Sequence, residues 1–162
     1  MLVRFTKQPP AATVDTLTCI RPDGSRAEAA LPRQGILPAM AFHFVIESAL
    51  VWSEGVFGGV RRGAALAAPA TTTARSRAKR PHQLQMAQAA ALVSCLQAEQ
   101  SGGSSAHPEF LRKLASASRK NNVTPPVVGP ADLTRLRLAL RAFGAAWRPL
   151  VTGAAIERQF EA

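Results

Sequence analysis

The stretch from Leu37 to Glu47 reads LPAMAFHFVIE. Pro38 suits the first turn of a helix, because the N–H that proline lacks has no partner there anyway. The residues that follow are apolar on nearly every side, and His43 and Glu47 cross them as one polar stripe. Side chains at this spacing lie on the same side of a helix. The stretch therefore predicts a core helix, which runs to about Ser53, and a polar stripe that needs an explanation.

The residues before this helix predict three strands. A short strand covers residues 2–5, and alternating β-branched residues predict a second strand at 13–20. The sequence Pro-Asp-Gly at 22–24 is a turn signal, because proline presets φ and glycine accepts a positive φ. Residues 26–31 are expected to return as the partner strand of a hairpin.

The residues after the first helix predict three more helices and a compact turn. Gly55 is a natural stop for the first helix, and residues 57–60 follow as a compact turn or a second short helix. Residues 82–100 are rich in Ala, Gln and Leu, which favour a helix. A shorter helix is expected from Pro108 to about residue 121.

The last helix has the clearest pattern, and a strand follows it. One face of this helix collects large apolar residues at helical spacing: Leu133, Leu136, Leu140, Phe143 and Trp147. That face is more typical of core than of a homodimer contact. Apolar and polar residues alternate at 155–161, which predicts a terminal strand.

Strands at both ends and helices between them predict an α+β fold. We expect a small antiparallel sheet, made of the N-terminal strands and a C-terminal strand, packed against about four helices. The 162 residues, 47% of them hydrophobic, suffice for a single domain at 1–162. The sequence shows no membrane-length apolar run and no signal peptide. We therefore expect a cytoplasmic protein with no membrane partner. Cys19 and Cys95 form no C-x-x-C motif and are expected to be free and buried.

The formal net charge of +10 favours acidic partners, nucleic acid above all. No acidic residue lies between Glu54 and Glu99, and residues 64–81 read as a basic flexible linker or loop. The candidate phosphate-binding residues in this region are Arg61, Arg62, Arg75, Arg77, Lys79 and Arg80. Between Phe57 and Phe110 there is no aromatic residue on which bases could stack. A solvated linker is therefore the simpler interpretation, and nucleic-acid binding is the alternative.

The polar stripe of His43 and Glu47 has three interpretations. The two can form a hydrogen-bonded pair on the exposed or partly buried edge of a core helix. They can line a small polar pocket or an interface, or they can bind a divalent metal. A zinc site needs three or four protein ligands, so further ligands would have to come from His82, His107, Glu109 or Cys95. No nucleophile or third orienting group is visible beside the pair, so an enzyme is not the default.

Parts of the sequence resemble a family of small uncharacterised bacterial proteins. The resemblance rests on residues 31–38, on His43-Phe-Val-Ile-Glu47, on Gly55-Val-Phe-Gly58 and on Trp147, Leu150 and Gly153 near the end. The family pattern reads Leu-Pro-His-Asp-Leu-x-His-Phe-x-Val-Glu, followed by Gly-Phe-Phe/Trp-Gly. It covers roughly half the residues. The resemblance implies no activity, but it does imply a cluster of two histidines, an aspartate and a glutamate that suits a divalent metal.

This chain departs from that pattern at two positions. Ala39 stands in the place of the first histidine and Met40 in the place of the aspartate, so His43 and Glu47 alone match. We therefore expect a non-enzymatic structural or interaction protein with a degenerate His/Glu site and no cofactor. Nucleic-acid binding through residues 61–80, divalent-metal binding at His43 and Glu47, and a homodimer are the alternatives.

Overall fold

The structure, a computed structural model, describes residues 1–33, 35–66 and 81–162. Within them, the strands are β1 (Leu2–Thr6), β2 (Val14–Ile20), β3 (Arg26–Pro32) and β4 (Ala155–Gln159). These four strands form one antiparallel sheet in the order β3-β2-β1-β4. Most of the predicted linker at 64–81 lies outside the described residues.

Five helices occupy the described part of the chain between β3 and β4. They are α1 (Ala39–Ala49), α2 (Val56–Arg61), α3 (Pro81–Gly102), α4 (His107–Lys120) and α5 (Pro130–Trp147). Helix α2 corresponds to the compact turn or short helix that the sequence predicted. The α+β fold, with a small antiparallel sheet and helices against it, is confirmed.

The predicted hairpin joins β2 to β3. Leu17 pairs with Ala29 at its centre, and Gly24 takes the positive φ of 82° that the turn requires. Period-2 alternation turns Leu17 and Cys19 into the core, where both are fully buried. The hairpin thus supplies one half of the sheet and the apolar face against which the helices pack.

Strand β4 closes the other side of the sheet by pairing with β1. Phe5 lies opposite Ile156, and the Phe160 amide donates to the Met1 carbonyl at 2.8 Å. The amino group of Met1 in turn donates to the Phe160 carbonyl at 3.0 Å. The first and last elements of the fold are therefore neighbours in the sheet.

A cluster of phenylalanines joins the sheet to the helices. Phe5 of β1 lies 5.9 Å from Phe44 of α1 and 5.0 Å from Phe143 of α5, measured between ring centroids. Phe57 of α2 lies 5.5 Å from Phe44 and 5.8 Å from Phe160. The pairs Phe5–Phe44, Phe5–Phe143 and Phe44–Phe57 are edge-to-face, and such pairs stabilise beyond their buried area by about 1 kcal/mol each. The cluster brings α1, α2 and α5 onto one side of the sheet.

The apolar face of α5 belongs to the core. Its five large residues are all at most 5% exposed: Leu133, Leu136, Leu140, Phe143 and Trp147. Helix α5 packs against α1, which fills the space above the sheet. This face is therefore covered within the chain, and a homodimer that pairs strand edges stays a prediction.

Helix α1 ends earlier than the sequence predicted. The last helical residue is Ala49 rather than about Ser53, and Val51 takes the left-handed conformation with a φ of 53°. The Trp52 amide donates to the Glu47 carbonyl at 2.8 Å, which closes a Schellman turn. A β-branched residue seldom occupies this conformation, which glycine usually adopts at the end of a helix. The sequence therefore gives no indication that α1 ends here. Gly55, which was expected to stop α1, instead precedes α2 as its N-cap.

Two further expectations concern the cysteines and membranes. Cys19 and Cys95 are free and buried, as the sequence predicted. Burial raises the pKa of the Cys19 thiol to about 11, so it stays protonated and unreactive. Across the residues that the structure describes, none of the helices combines the length and apolar character needed to span a membrane.

Candidate functional site

His43 and Glu47 lie in the protein interior. The side chain of His43 is 2% exposed and that of Glu47 is 0% exposed. The expectation of an exposed or partly buried helix edge was therefore wrong. The short loop after α1 and helix α2 cover this side of α1, because α2 buries Val56 and Phe57 against it.

The carboxylate of Glu47 caps the N-terminus of α2. The amide of Val56 donates to Oε1 at 2.9 Å, and the amide of Phe57 donates to Oε2 at 2.8 Å. The first amides of a helix have no partner within the helix, and they carry the positive end of its dipole. Gly55 provides no side-chain cap, so a carboxylate from the preceding helix takes over that function.

Two glycines make room for this arrangement. A Cβ at Gly55 would overlap the carboxylate of Glu47, and a Cβ at Gly58 would overlap the backbone carbonyl of Ser53. Gly59 lies next to them, but a Cβ there would meet only the Ala64 side chain, at 3.8 Å. Gly55 and Gly58 are thus required by close approach, whereas Gly59 is not.

His43 is not hydrogen-bonded to Glu47. Its Nδ1 lies 3.9 Å from Oε1 of Glu47, which is too long for a hydrogen bond, and this buried nitrogen has no partner among the described residues. The expectation of a hydrogen-bonded i, i+4 pair was therefore wrong. The reason is that the oxygens of Glu47 turn toward the amides of α2.

Burial shifts the two pKa values in opposite directions. Loss of solvation lowers the pKa of His43 to about 4 and so favours the neutral imidazole. Loss of solvation also raises the pKa of Glu47 to about 7, although the donated amides of Phe57, Val56 and Gly58 oppose this shift. The pair is therefore largely uncharged in mildly acidic solution.

The other proposed metal ligands have separate surroundings. His107 contacts the Val128 carbonyl through Nε2 at 2.9 Å, and Glu109 pairs with Lys113 at 2.8 Å. His82 is exposed and Cys95 is buried. Within residues 1–33, 35–66 and 81–162, no three His, Cys, Asp or Glu side chains come close enough to hold a metal ion. His43 and Glu47 alone do not fit a metal site, because two donors are too few and the carboxylate already accepts two amides.

A cavity of about 280 Å³ opens at the end of the sheet nearest the α5 C-terminus. Its cations already have partners in the fold. Arg33 donates to Oδ1 of Asp15 at 2.8 Å, and Lys7 donates to the carbonyl of Arg148 at 3.2 Å and lies over the ring of Trp147. These contacts tie the loop after β3 to β2, and β1 to the end of α5.

Two of the six predicted phosphate-binding residues can be placed, and both are engaged within the chain. Arg61 donates to the carbonyl of Glu161 at 2.8 Å, and Arg62 pairs with Glu54 at 3.0 Å. The other four lie outside the described residues: Arg75, Arg77, Lys79 and Arg80. The described residues thus give no direct support to Arg61 and Arg62 as a nucleic-acid surface.

Comparison with known proteins adds no relative. No protein-family model, no curated protein and no solved structure matches this chain. The resemblance to the bacterial family stays a prediction.

The capping arrangement predicts unequal effects of alanine at three neighbouring glycines. Gly55→Ala and Gly58→Ala should each lower the free energy of unfolding by about 2 kcal/mol or more, because the new Cβ displaces the Glu47 carboxylate or the Ser53 carbonyl. Gly59→Ala is the matched control and should be neutral or stabilising, since it relieves glycine's helix penalty without a clash. Urea denaturation measures all three, and equal losses would contradict the arrangement.

The opposite pKa shifts predict opposite pH dependences in two variants. Between about pH 4.5 and pH 6.5 the pair holds one proton in both states, on Glu47 in the folded protein and on His43 in the unfolded chain. The free energy of unfolding of the wild type should therefore depend little on pH through this pair. In Glu47→Gln only His43 titrates. Its folded pKa is lowered, so stability is present above about pH 6.5 and is lost as the pH falls toward about 4.

In His43→Gln only Glu47 titrates. Its folded pKa is raised, so stability is present below about pH 4.5 and is lost as the pH rises through about 7. Urea denaturation at two values inside the shared window should give slopes of about 1.4 kcal/mol per pH unit with opposite signs, after subtraction of the wild-type slope. Slopes of the same sign would show that burial does not shift the two groups in this way.

Proposed function

We propose that this chain is a non-enzymatic structural or interaction protein, in which His43 and Glu47 are a degenerate site that serves the fold. The supporting observation is that both Glu47 carboxylate oxygens accept backbone amides of α2. A general base or a metal ligand needs an oxygen that is free to meet a substrate or an ion. In this proposal the protein acts in the bacterial cytoplasm without a cofactor.

Metal content tests the proposal at the site itself. Protein prepared without chelators is incubated with zinc or manganese, separated from free ions and assayed, alongside His43→Ala and the exposed control His82→Ala. All three proteins should carry equally little metal, far below a stoichiometric amount. A stoichiometric ion in the wild type and in His82→Ala, lost in a folded His43→Ala, would contradict a degenerate site.

The partner of such a protein can be a second copy of the chain or a polyanion. Strand β3 lies at the edge of the sheet, so a second copy could pair with its outer side. A nucleic acid is favoured by charge, because the chain carries twice as many cationic as anionic residues. Nucleic-acid binding is therefore the second candidate function.

Binding of nucleic acid is tested by titration of the full chain with duplex and single-stranded DNA and RNA at low and higher salt. We expect the affinity to fall steeply with salt. A plot of the logarithm of the binding constant against the logarithm of the salt concentration should steepen by about 0.9 for each phosphate contacted. A variant with glutamine at Arg75, Arg77, Lys79 and Arg80 should bind more weakly and show a shallower slope. Arg61→Gln with Arg62→Gln is the control and should change the affinity little, since both residues are engaged internally. Circular dichroism checks that this variant keeps the wild-type helix content.

A titration without binding at low salt would remove this second candidate. Full affinity in the fourfold variant would show that residues 75–80 do not contact the nucleic acid. Binding would then take place at another surface. In both cases the first proposal is unaffected, because metal content tests the degenerate site and the glycine variants test the structural role of Glu47.

A further inference from the structure

Helix α4 has one apolar side and one strongly basic side. Phe110, Leu114 and Ser118 are buried against the rest of the fold. The opposite side is exposed and carries four cations: Arg112, Lys113, Arg119 and Lys120. At about 100° per residue these four fall within an arc of about 120°, and they form two pairs about 10 Å apart along the axis. We refer to these four residues as the α4 basic face.

The charge on the α4 basic face is largely uncompensated. Glu109 is the one acidic residue of α4, and it pairs with Lys113. In the part of the chain that the structure describes, Arg112, Arg119 and Lys120 form no ion pair. Five arginines elsewhere do: Arg4 pairs with Glu157, Arg33 with Asp15, Arg62 with Glu54, Arg135 with Asp132 and Arg137 with Glu99. The α4 basic face thus gathers several exposed cations, three of them without an ion pair, on one side of a single helix.

The face is held rigidly in place. Helix α4 ends in a Schellman turn, in which the Val123 amide donates to the Ser118 carbonyl at 3.0 Å and Asn122 takes a φ of 53°. The Gln88 side chain of α3 donates to the Thr124 carbonyl at 3.0 Å, which anchors the chain just beyond that turn. Cations on a rigid helix lose little conformational freedom of the backbone when they bind, and this favours an extended, regular anionic partner.

The side chains around these cations narrow the choice of partner. The large hydrophobic side chains that are exposed lie on other elements: Ile36, Val51, Val127, Leu138 and Val151. Without an exposed apolar side chain, α4 lacks the anchor with which amphipathic helices enter a lipid surface. Without an exposed aromatic ring, it also lacks a platform for the bases of a single strand. The outer backbone of duplex nucleic acid presents a regular array of phosphates, about six of them in 10 Å of helix axis, and binding to it requires neither an apolar anchor nor a stacking platform.

We propose that the α4 basic face is a docking surface for the phosphate backbone of duplex nucleic acid. The proposal rests on the second candidate function and assigns it to residues other than Arg61 and Arg62. Arg112 with Lys113 contacts phosphates at one end of the face, and Arg119 with Lys120 contacts phosphates at the other. No base edge is read, so the sequence of the duplex matters little.

The test compares two full-length triple variants of equal charge. One replaces Arg112, Arg119 and Lys120 with glutamine, and the control replaces Arg26, Arg141 and Arg158, which are exposed on three other elements. Each is titrated with a short DNA duplex, a short RNA duplex and anionic phospholipid vesicles at low and higher salt. All the replaced residues are exposed, and circular dichroism checks that both variants keep the wild-type helix content.

The α4 variant should bind duplex at least tenfold more weakly than the control variant. Its logarithmic salt slope should be shallower than that of the wild type by about 2.7, which is about 0.9 for each of the three lost phosphate contacts. Preference for DNA or RNA identifies the duplex, and either result supports the surface. Equal losses in both variants would overturn the α4 docking surface and leave nucleic-acid binding in place. Binding to vesicles but not to duplex would also overturn it. No duplex binding by the wild type at low salt would overturn both the surface and the second candidate function.

Discussion

The fold depends on one buried interaction, in which the Glu47 carboxylate accepts the first amides of α2. The backbone carbonyl of Glu47 also accepts a hydrogen bond from the Trp52 amide, so the same residue ends α1 and starts α2. The turn between the two helices is fixed from both sides, and Phe57 enters the aromatic cluster as a result. A buried carboxyl group without these donors would cost several kcal/mol, so α2 stabilises α1 as well as the reverse.

Helix α2 connects this buried interaction to the β2–β3 hairpin and to the end of β4. The Arg21 side chain at the hairpin turn donates to the carbonyls of Val60 and Ala64, and Arg61 reaches the carbonyls of Glu161 and Ala162 beyond β4. A helix of only six residues is too short to be stable alone. It is held by the Glu47 cap at its start and by these arginines at its end. The loss of the cap would therefore affect the hairpin and β4 as well as α1.

Periodicity predicted the elements that depend on burial, and it missed those that depend on close backbone contact. The apolar spacing of α5, the β2–β3 hairpin and the pairing of a C-terminal strand were all readable, because each follows from a repeated side-chain pattern. The partner of Glu47 was not readable, because backbone amides leave no mark in a sequence. The end of α1 was also not readable, because a valine such as Val51 gives no indication of a left-handed φ. The pair Gly55 and Gly58 was the available clue, and both fall within the residues on which the family resemblance rests.

The pairing of β1 with β4 has a consequence for how the protein forms on the ribosome. Strand β1 emerges before β2 and can pair with it at once, but its other edge waits for β4, which is made more than a hundred residues later. Phe160, fully buried against Phe57, reaches the core at the same late moment. Vectorial synthesis thus leaves an open strand edge and an unfilled core in every nascent chain, and both are sites of aggregation. The sheet is complete only after β4 has left the ribosome and has paired with β1.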